Sequence, residues 1–279
     1  MVTIAYHTDP ACPWSWGLEP VVRKLMVEFD DGIRWTFVMG GLVRSLAGEA
    51  AVRAALVEEW LHASAEAEAP LDPLIWVEDA LDSTYPACMA FEAAADQAAD
   101  GGYRYLRRLR EGIMCDRRKL DHAEALVEEA RAAGLDVERF RVDLRSHAIT
   151  EAFAADLDRT EALGKRMSDR VEHASRGWGG APLPTLIFRG EDGAMREVQG
   201  LRPHDECRAI ALELGATPAR SDPLGVEEAA RRFGRVTTRE VELLCDLHGP
   251  RAGAELFKLA EQWRLRPVRR LTGYLWEAA

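Results

Sequence analysis

Long apolar runs are missing from this sequence. No stretch approaches the length of a membrane-spanning helix. The opening MVTIAYHTD lacks the basic start and extended apolar core of a secretory leader, and reads as a strand. The cytosol is therefore the expected compartment. Cysteine is scarce, with five in 279 residues. Cys12, Cys88, Cys115, Cys207 and Cys245 imply no disulfide framework and should be mostly reduced. Positive charge is also short, with 36 Lys and Arg against 47 Asp and Glu. The resulting net charge of −11 argues against nucleic acid and anionic membrane surfaces as partners. No internal repeat is visible. What remains is an ordinary globular balance, 47% hydrophobic and 30% charged, in a chain long enough for one large domain or two.

The organisation can be read from hydrophobic periodicity. TIAYHTD is β-branched and aromatic and predicts a strand. From Pro13 the pattern turns helical, with Leu18, Val21, Val22, Leu25, Met26 and Phe29 on one spacing, until DDG stops it. IRWTFVMGGL is a second strand ending at Gly40-Gly41. Residues 43–176 are rich in Ala, Glu and Arg and read as a helical insertion. One of its helices should open near Ser83-Thr84, and another at Asp121 with Glu124 completing a capping pair. Asp136 should cap the next. PTLIFRG and MREVQGL, separated by EDGA, predict a hairpin. PHDECRAIALELG then closes the unit as a helix. ATPARSDPLG is the best linker, and cleavage is expected first near Arg220. Residues 222–279 form a small helical, partly winged-helix-like module with a terminal hairpin turning at Thr272-Gly273.

The chemistry concentrates in DPACPWSWGLEP. Cys12 sits where a strand hands over to a helix, so first-turn amides and the helix dipole should favour its thiolate. Pro13 suits the first helical position, and Pro20 should kink the helix further on. Ser15 stands where a dithiol loop would carry its second cysteine. Its hydroxyl can donate a hydrogen bond to the Cys12 sulfur, but it cannot release a captured partner as a thiol would.

DPACPWSWGLEPVVRKL, the helical insertion and APLPTLIF together resemble the DsbA-like branch of the thioredoxin superfamily, from about Thr3 to Gly215. The segments CPWSWGLEPVVRKL and YPACMAFEAAADQAADGGYRYLRRLRE are similar to FrnE-type oxidoreductases and, above all, to YjbH/SpxH adaptors that present the regulator Spx to the ClpXP protease. The resemblance implies an α/β architecture: a thioredoxin fold from residues 1–42 and 177–215, interrupted by the helical insertion 43–176. It implies Cys12 as nucleophile, Pro184 as a cis-proline lining the thiol pocket after Leu183, and Trp14 tuning the loop. Pro13, Trp14, Leu183 and Cys88 are then the expected substrate contacts. Ser15 departs from the dithiol pattern.

The leading expectation is thus a monothiol Cys-Pro-Trp-Ser disulfide oxidoreductase or isomerase acting on protein thiols. The first alternative is a non-catalytic adaptor of the YjbH/SpxH type. The second is a thiol-conjugate enzyme similar to kappa-class glutathione transferases, which share the architecture but carry serine at the position of Cys12. No cofactor or metal is expected. A low-molecular-weight thiol such as glutathione or mycothiol is the one small molecule the site would take. Cys88 is read chiefly as a buried helix residue, with resolution of a Cys12 mixed disulfide as the minority reading. His204-x-x-Cys207 and Cys245-x-x-His248 have zinc-like spacing but fall in different modules, so both read as ordinary helix residues. Trp16 and Trp35 read as core, and Trp14 as exposed. RLRPVRR reads as a solvated or protein-docking face rather than a DNA contact.

Overall fold

A computed structural model of the chain describes residues 1–46, 50–97, 99–167 and 182–279. Strand β1 (Val2–Thr8) leads through the thiol loop into helix α1 (Pro13–Phe29), a short 3-10 turn, and strand β2 (Ile33–Met39). β2 pairs parallel with β1, Ile4 opposite Trp35 and Thr8 opposite Met39. β3 (Thr185–Arg189) and β4 (Met195–Gln199) complete a four-stranded sheet of order β2-β1-β3-β4, with β1–β3 and β3–β4 antiparallel. This is a thioredoxin-type sheet. Helix α1 covers one face of it, burying Leu18, Val22, Leu25 and Phe29 against Ile4, Tyr6 and Leu186. Each such side chain contributes roughly 1.5–3 kcal/mol by leaving water. The helix continues unbroken through Pro20.

Among the described residues seven helices follow β2: α2 (Ala50–Ala67), α3 (Ile75–Glu78), α4 (Tyr85–Ala95), α5 (Ala99–Met114), α6 (Ala123–Ala132), α7 (Val137–Asp143) and α8 (His147–Met167). Pro86 lies in the first turn of α4 and Asp136 caps α7 through the amides of Glu138 and Arg139. The Asp121 cap does not form. Its Oδ2 accepts instead from the Asp82 amide at 2.6 Å, and α6 starts at Ala123 after His122. A tertiary partner outcompeted the local one. The expected return to the thioredoxin fold at residue 177 lies outside the described residues.

Helix α9 (His204–Glu213) packs on the first sheet. The chain then runs α10 (Val226–Phe233), β5 (Arg235–Thr237), α11 (Thr238–Leu244), α12 (Pro250–Glu261), β6 (Leu265–Arg270) and β7 (Gly273–Ala278). The expected hairpin is one part of a three-stranded antiparallel sheet, β5-β7-β6. Three residues of β5 were too few to carry a strand pattern of their own. This part packs hard on α1: Val27 shares a core with Leu224, Val241, Leu244 and Trp276. The amides of Ala219 and Arg220 bond to the Glu28 carbonyl. Among the described residues no helix is long and apolar enough to cross a membrane.

Candidate functional site

Cys12 is the N-cap of α1. Its backbone is extended, Pro13 takes the first helical position, and the sulfur accepts from the Ser15 amide at 3.4 Å. The sequence places the thiol here for a local reason: after a strand and Asp-Pro, a proline pre-set for helix starts the turn directly behind the cysteine. The expected acidification is overturned. Cys12 is only 2% exposed, and burial pushes its thiol up to about 11. The Ser15 side chain and amide oppose that shift, while the negative charges of Asp9 and Glu59 add to it. Desolvation therefore outweighs the helix terminus. Ser15 is itself fully buried, and its Oγ has no hydrogen-bond partner of good geometry among the described residues.

Asp9, three residues before the thiol, is the hub of the loop. Its Oδ1 accepts from the Ala11 amide at 2.8 Å. Its Oδ2 accepts from the Leu42 amide at 2.7 Å, Thr84 Oγ1 at 3.0 Å and Cys88 Sγ at 3.3 Å. One buried carboxyl thus ties the thiol loop to the end of β2 and to α4. Burial raises the Asp9 pKa, and raises Cys88 far above an ordinary thiol, with the Asp9 charge adding to it. Cys88 is fully buried as expected. The signal that could have found Asp9 is an acid two residues before a loop amide, an Asx-turn pattern.

The Leu183–Pro184 peptide is cis. Thr185 pairs with His7, so one step further in the antiparallel register Pro184 stands opposite Thr8, at the head of the thiol loop. Leu183 is buried against Gly40, where an added Cβ would lie 2.6 Å from Leu183 Cδ1. Trp14 is not fully exposed. Its Nε1 donates to Glu59 at 3.3 Å and its ring stands edge-on to His62, both on α2. Trp16 is core, its ring under the Arg107 guanidinium and its Nε1 donating to the Pro70 carbonyl. Trp35 is only half-buried. The two His/Cys pairs are not brought together: Cys207 sits in the first sheet's core and Cys245 in the C-terminal core, while His204 Nε2 is 3.0 Å from Glu28.

Behind the loop lies a buried ionic network invisible to local pattern. Tyr6 donates to the Ser15 carbonyl at 3.0 Å. Arg110 donates to Thr8 and Glu19, and Glu19 also accepts from Arg107 at 3.3 Å and Tyr103 at 3.0 Å. Arg107 continues to Glu240 of α11 at 2.7 Å, and Glu240 lies 3.1 Å from Arg23. Charges this deep persist because each is paired and hydrogen-bonded. The three cations around Glu19 hold its carboxyl below the usual range although burial pushes the other way.

Sheet, capped thiol and cis-proline together define a DsbA-like protein of the thioredoxin superfamily. The chain belongs to that superfamily: the family model described as Thioredoxin matches residues 6–167. Among curated relatives it is 28% identical over 277 residues to the ClpXP adapter protein SpxH of Halalkalibacterium halodurans, covering 96% of this chain and 86% of that one. It is 27% identical over 281 residues to SpxH of Bacillus subtilis, covering 99% and 88%. Among solved structures, the cytosolic disulfide reductase DsbM from Pseudomonas aeruginosa aligns with a TM-score of 0.59 at 19% identity. That alignment covers 76% of this chain and 98% of that one.

Proposed function

We propose that this protein works as a protein-binding adaptor of the SpxH type, holding a client for a ClpXP-like protease, rather than as a turnover disulfide enzyme. The observation that carries this reading is the state of Cys12: fully enclosed, with its thiol pushed up to about 11 and Ser15 where a resolving thiol would stand. Attack on a disulfide needs a thiolate, and release needs a second thiol. The site offers little of the first at neutral pH and its loop none of the second. The SpxH relatives match along nearly the whole chain, which supports a role that uses the C-terminal part as well as the thioredoxin fold.

The test is reconstituted proteolysis. Purified protein should accelerate degradation of an Spx-type regulator by ClpXP, and Cys12→Ala should accelerate it equally. Insulin reduction by wild type should not exceed that of Cys12→Ala. Cys12-dependent insulin turnover without any effect on degradation would reverse the order of the readings. A monothiol exchange with glutathione or mycothiol is the second reading, favoured by the Ser15 amide aimed at the sulfur. Its signature is a mass increase of one thiol on Cys12.

A further inference from the structure

Among the described residues β2 is an edge strand, paired on one side only, with β1. The Gly40 amide bonds to Thr8 of β1, whereas the Met39 amide turns away and donates to Asp156 Oδ2 at 2.7 Å. Backbone groups alternate in direction along a strand. Ile33, Trp35 and Phe37 therefore point their N–H and C=O groups, like those of Met39, away from β1. Helix α8 covers the Met39 end of that edge through Asp156. The Ile33–Phe37 part instead lines a cleft of about 1270 Å³, bounded by α5 on one side and by Arg232 and Phe233 of the C-terminal part on another. That volume exceeds the roughly 300–1,000 Å³ of ordinary small-molecule pockets.

The side chains of this cleft have a consistent chemistry. Trp35 stacks on Phe37 with ring centroids 6.3 Å apart, and Phe37 on Tyr103 at 5.7 Å. The indole Nε1 of Trp35 is shielded from water and has no acceptor among the described residues. A shielded donor without a partner is costly, and a bound carbonyl or carboxylate would remove that cost. Seven arginines and four acidic residues line the cleft; Arg23, Arg107, Arg108 and Arg235 are already paired with carboxylates, so the positive charge offered to a partner rests on exposed Arg34 and Arg232. Among the described residues, exposed Arg34 and Arg232 make no ion pair with a carboxylate; Arg232 lies 5.8 Å from the Phe233 ring, and its charge is felt by Glu228 one turn back on α10. A cationic cleft on an anionic protein draws an anionic partner while the rest of the surface repels it.

We propose that this cleft docks an extended acidic segment of a protein partner, which adds a strand to the open edge of β2, seats an apolar side chain over Trp35, Phe37 and Tyr103, and pairs its carboxylates with Arg34 and Arg232. Strand addition supplies affinity through main-chain hydrogen bonds, and the side-chain pockets and charges supply selectivity. The proposal rests on the adaptor reading for the partner's identity as a client, but not for its chemistry.

The probe is a short fluorescein-labelled peptide alternating Glu with Val around a central Phe, compared with its Lys-for-Glu counterpart. Anisotropy should show binding of the acidic peptide, weakening with salt, and no binding of the basic one. Arg34→Glu with Arg232→Glu, both at exposed positions, should weaken binding by roughly tenfold or more. Amide exchange at Trp35 and Phe37 should slow on binding. Equal binding of both peptides, an unaffected double variant, or unprotected β2 amides would each overturn the proposal. So would a wild-type dimer that the double variant abolishes and the peptide competes, because the occupant would then be a second copy. If wild type stimulates proteolysis and the double variant does so equally, the cleft is not the client's dock although the adaptor reading survives. If wild type fails to stimulate while the peptide results hold, the adaptor reading falls and the docking cleft stands.

Discussion

Arg107 in the middle of α5 and Glu240 in the first turn of α11 meet at 2.7 Å, both fully enclosed, although 133 residues separate them. Glu240 also closes a capping box, accepting from the Thr237 amide at 2.7 Å while its own amide donates to Thr237 Oγ1 at 3.0 Å. One carboxylate therefore starts α11 and fastens the C-terminal part to the helical insertion.

Among the described residues, removing Glu240 leaves Arg107 with only Glu19 and Glu111 and takes from buried Arg23 the carboxylate that stands 3.1 Å from it. Glu240→Ala should cost about 3–5 kcal/mol in urea unfolding. Arg107→Met combined with Glu240→Leu should recover a measurable part of that loss. Trypsin should then cut Glu240→Ala near Arg220 faster than wild type, because the Arg220 amide is held by the Glu28 carbonyl of α1 only while the C-terminal part stays docked. Equal cleavage rates would show that docking does not depend on this pair.

Cys12 should alkylate slowly at neutral pH, no faster than Cys245, whose thiol burial also pushes up to about 11. Its rate should climb with alkali toward that value. The folded Cys12 thiol holds its proton more tightly than a free thiol of 9.0. Its contribution to stability is therefore complete below about pH 9 and is lost as pH rises through about pH 11. Cys12→Ala should show a flatter stability profile across that window by chemical denaturation. A fast neutral reaction confined to Cys12 would contradict the burial argument.

Ser15→Cys should form an internal disulfide under mild oxidation, since the residue sits in the turn whose amide faces the Cys12 sulfur at 3.4 Å. Insulin-reductase turnover should rise above the Cys12→Ala background in that variant and return to it when Cys12→Ser is added. Mass spectrometry after oxidation decides it. Failure to form the bond would mean that the two side chains are not presented to each other across the turn.

Glu92 on α4 and Asp156 on α8 form a carboxyl pair. Burial, and then the Asp156 charge, raise Glu92 from 4.5 to about 8. The folded state thus prefers Glu92 protonated, and the stability this contributes in acid is lost as pH rises from about 4.5 through about 8. Glu92→Gln, which mimics the protonated form, should melt at or above wild type at alkaline pH and show a flatter profile across that window. A variant that melts lower at every pH would show that the ionised pair is the stabilising form.

Much of the scaffold was legible because its causes are local. The β-branched and aromatic run TIAYHTD, the apolar spacing from Leu18 to Phe29, Pro13 behind Cys12 and Asp136 before its helix each act within a few residues, and propensity, periodicity or capping chemistry states them directly. The thiol loop could be located for the same reason, down to Cys12 at the helix start. What its sulfur does was decided by tertiary structure. The helix terminus that should favour a thiolate is a local effect, but the burial that raises the pKa, with the charges of Asp9 and Glu59 adding to it, depends on how the folded chain surrounds the loop. Trp14 was drawn in by Glu59 and His62, and Asp121 was diverted from its helix by Asp82. The Glu19–Arg107–Glu240 network likewise depends on side chains that only folding brings together. Desolvation and Coulomb energy depend on what surrounds a group in space, and a linear spacing does not carry that information.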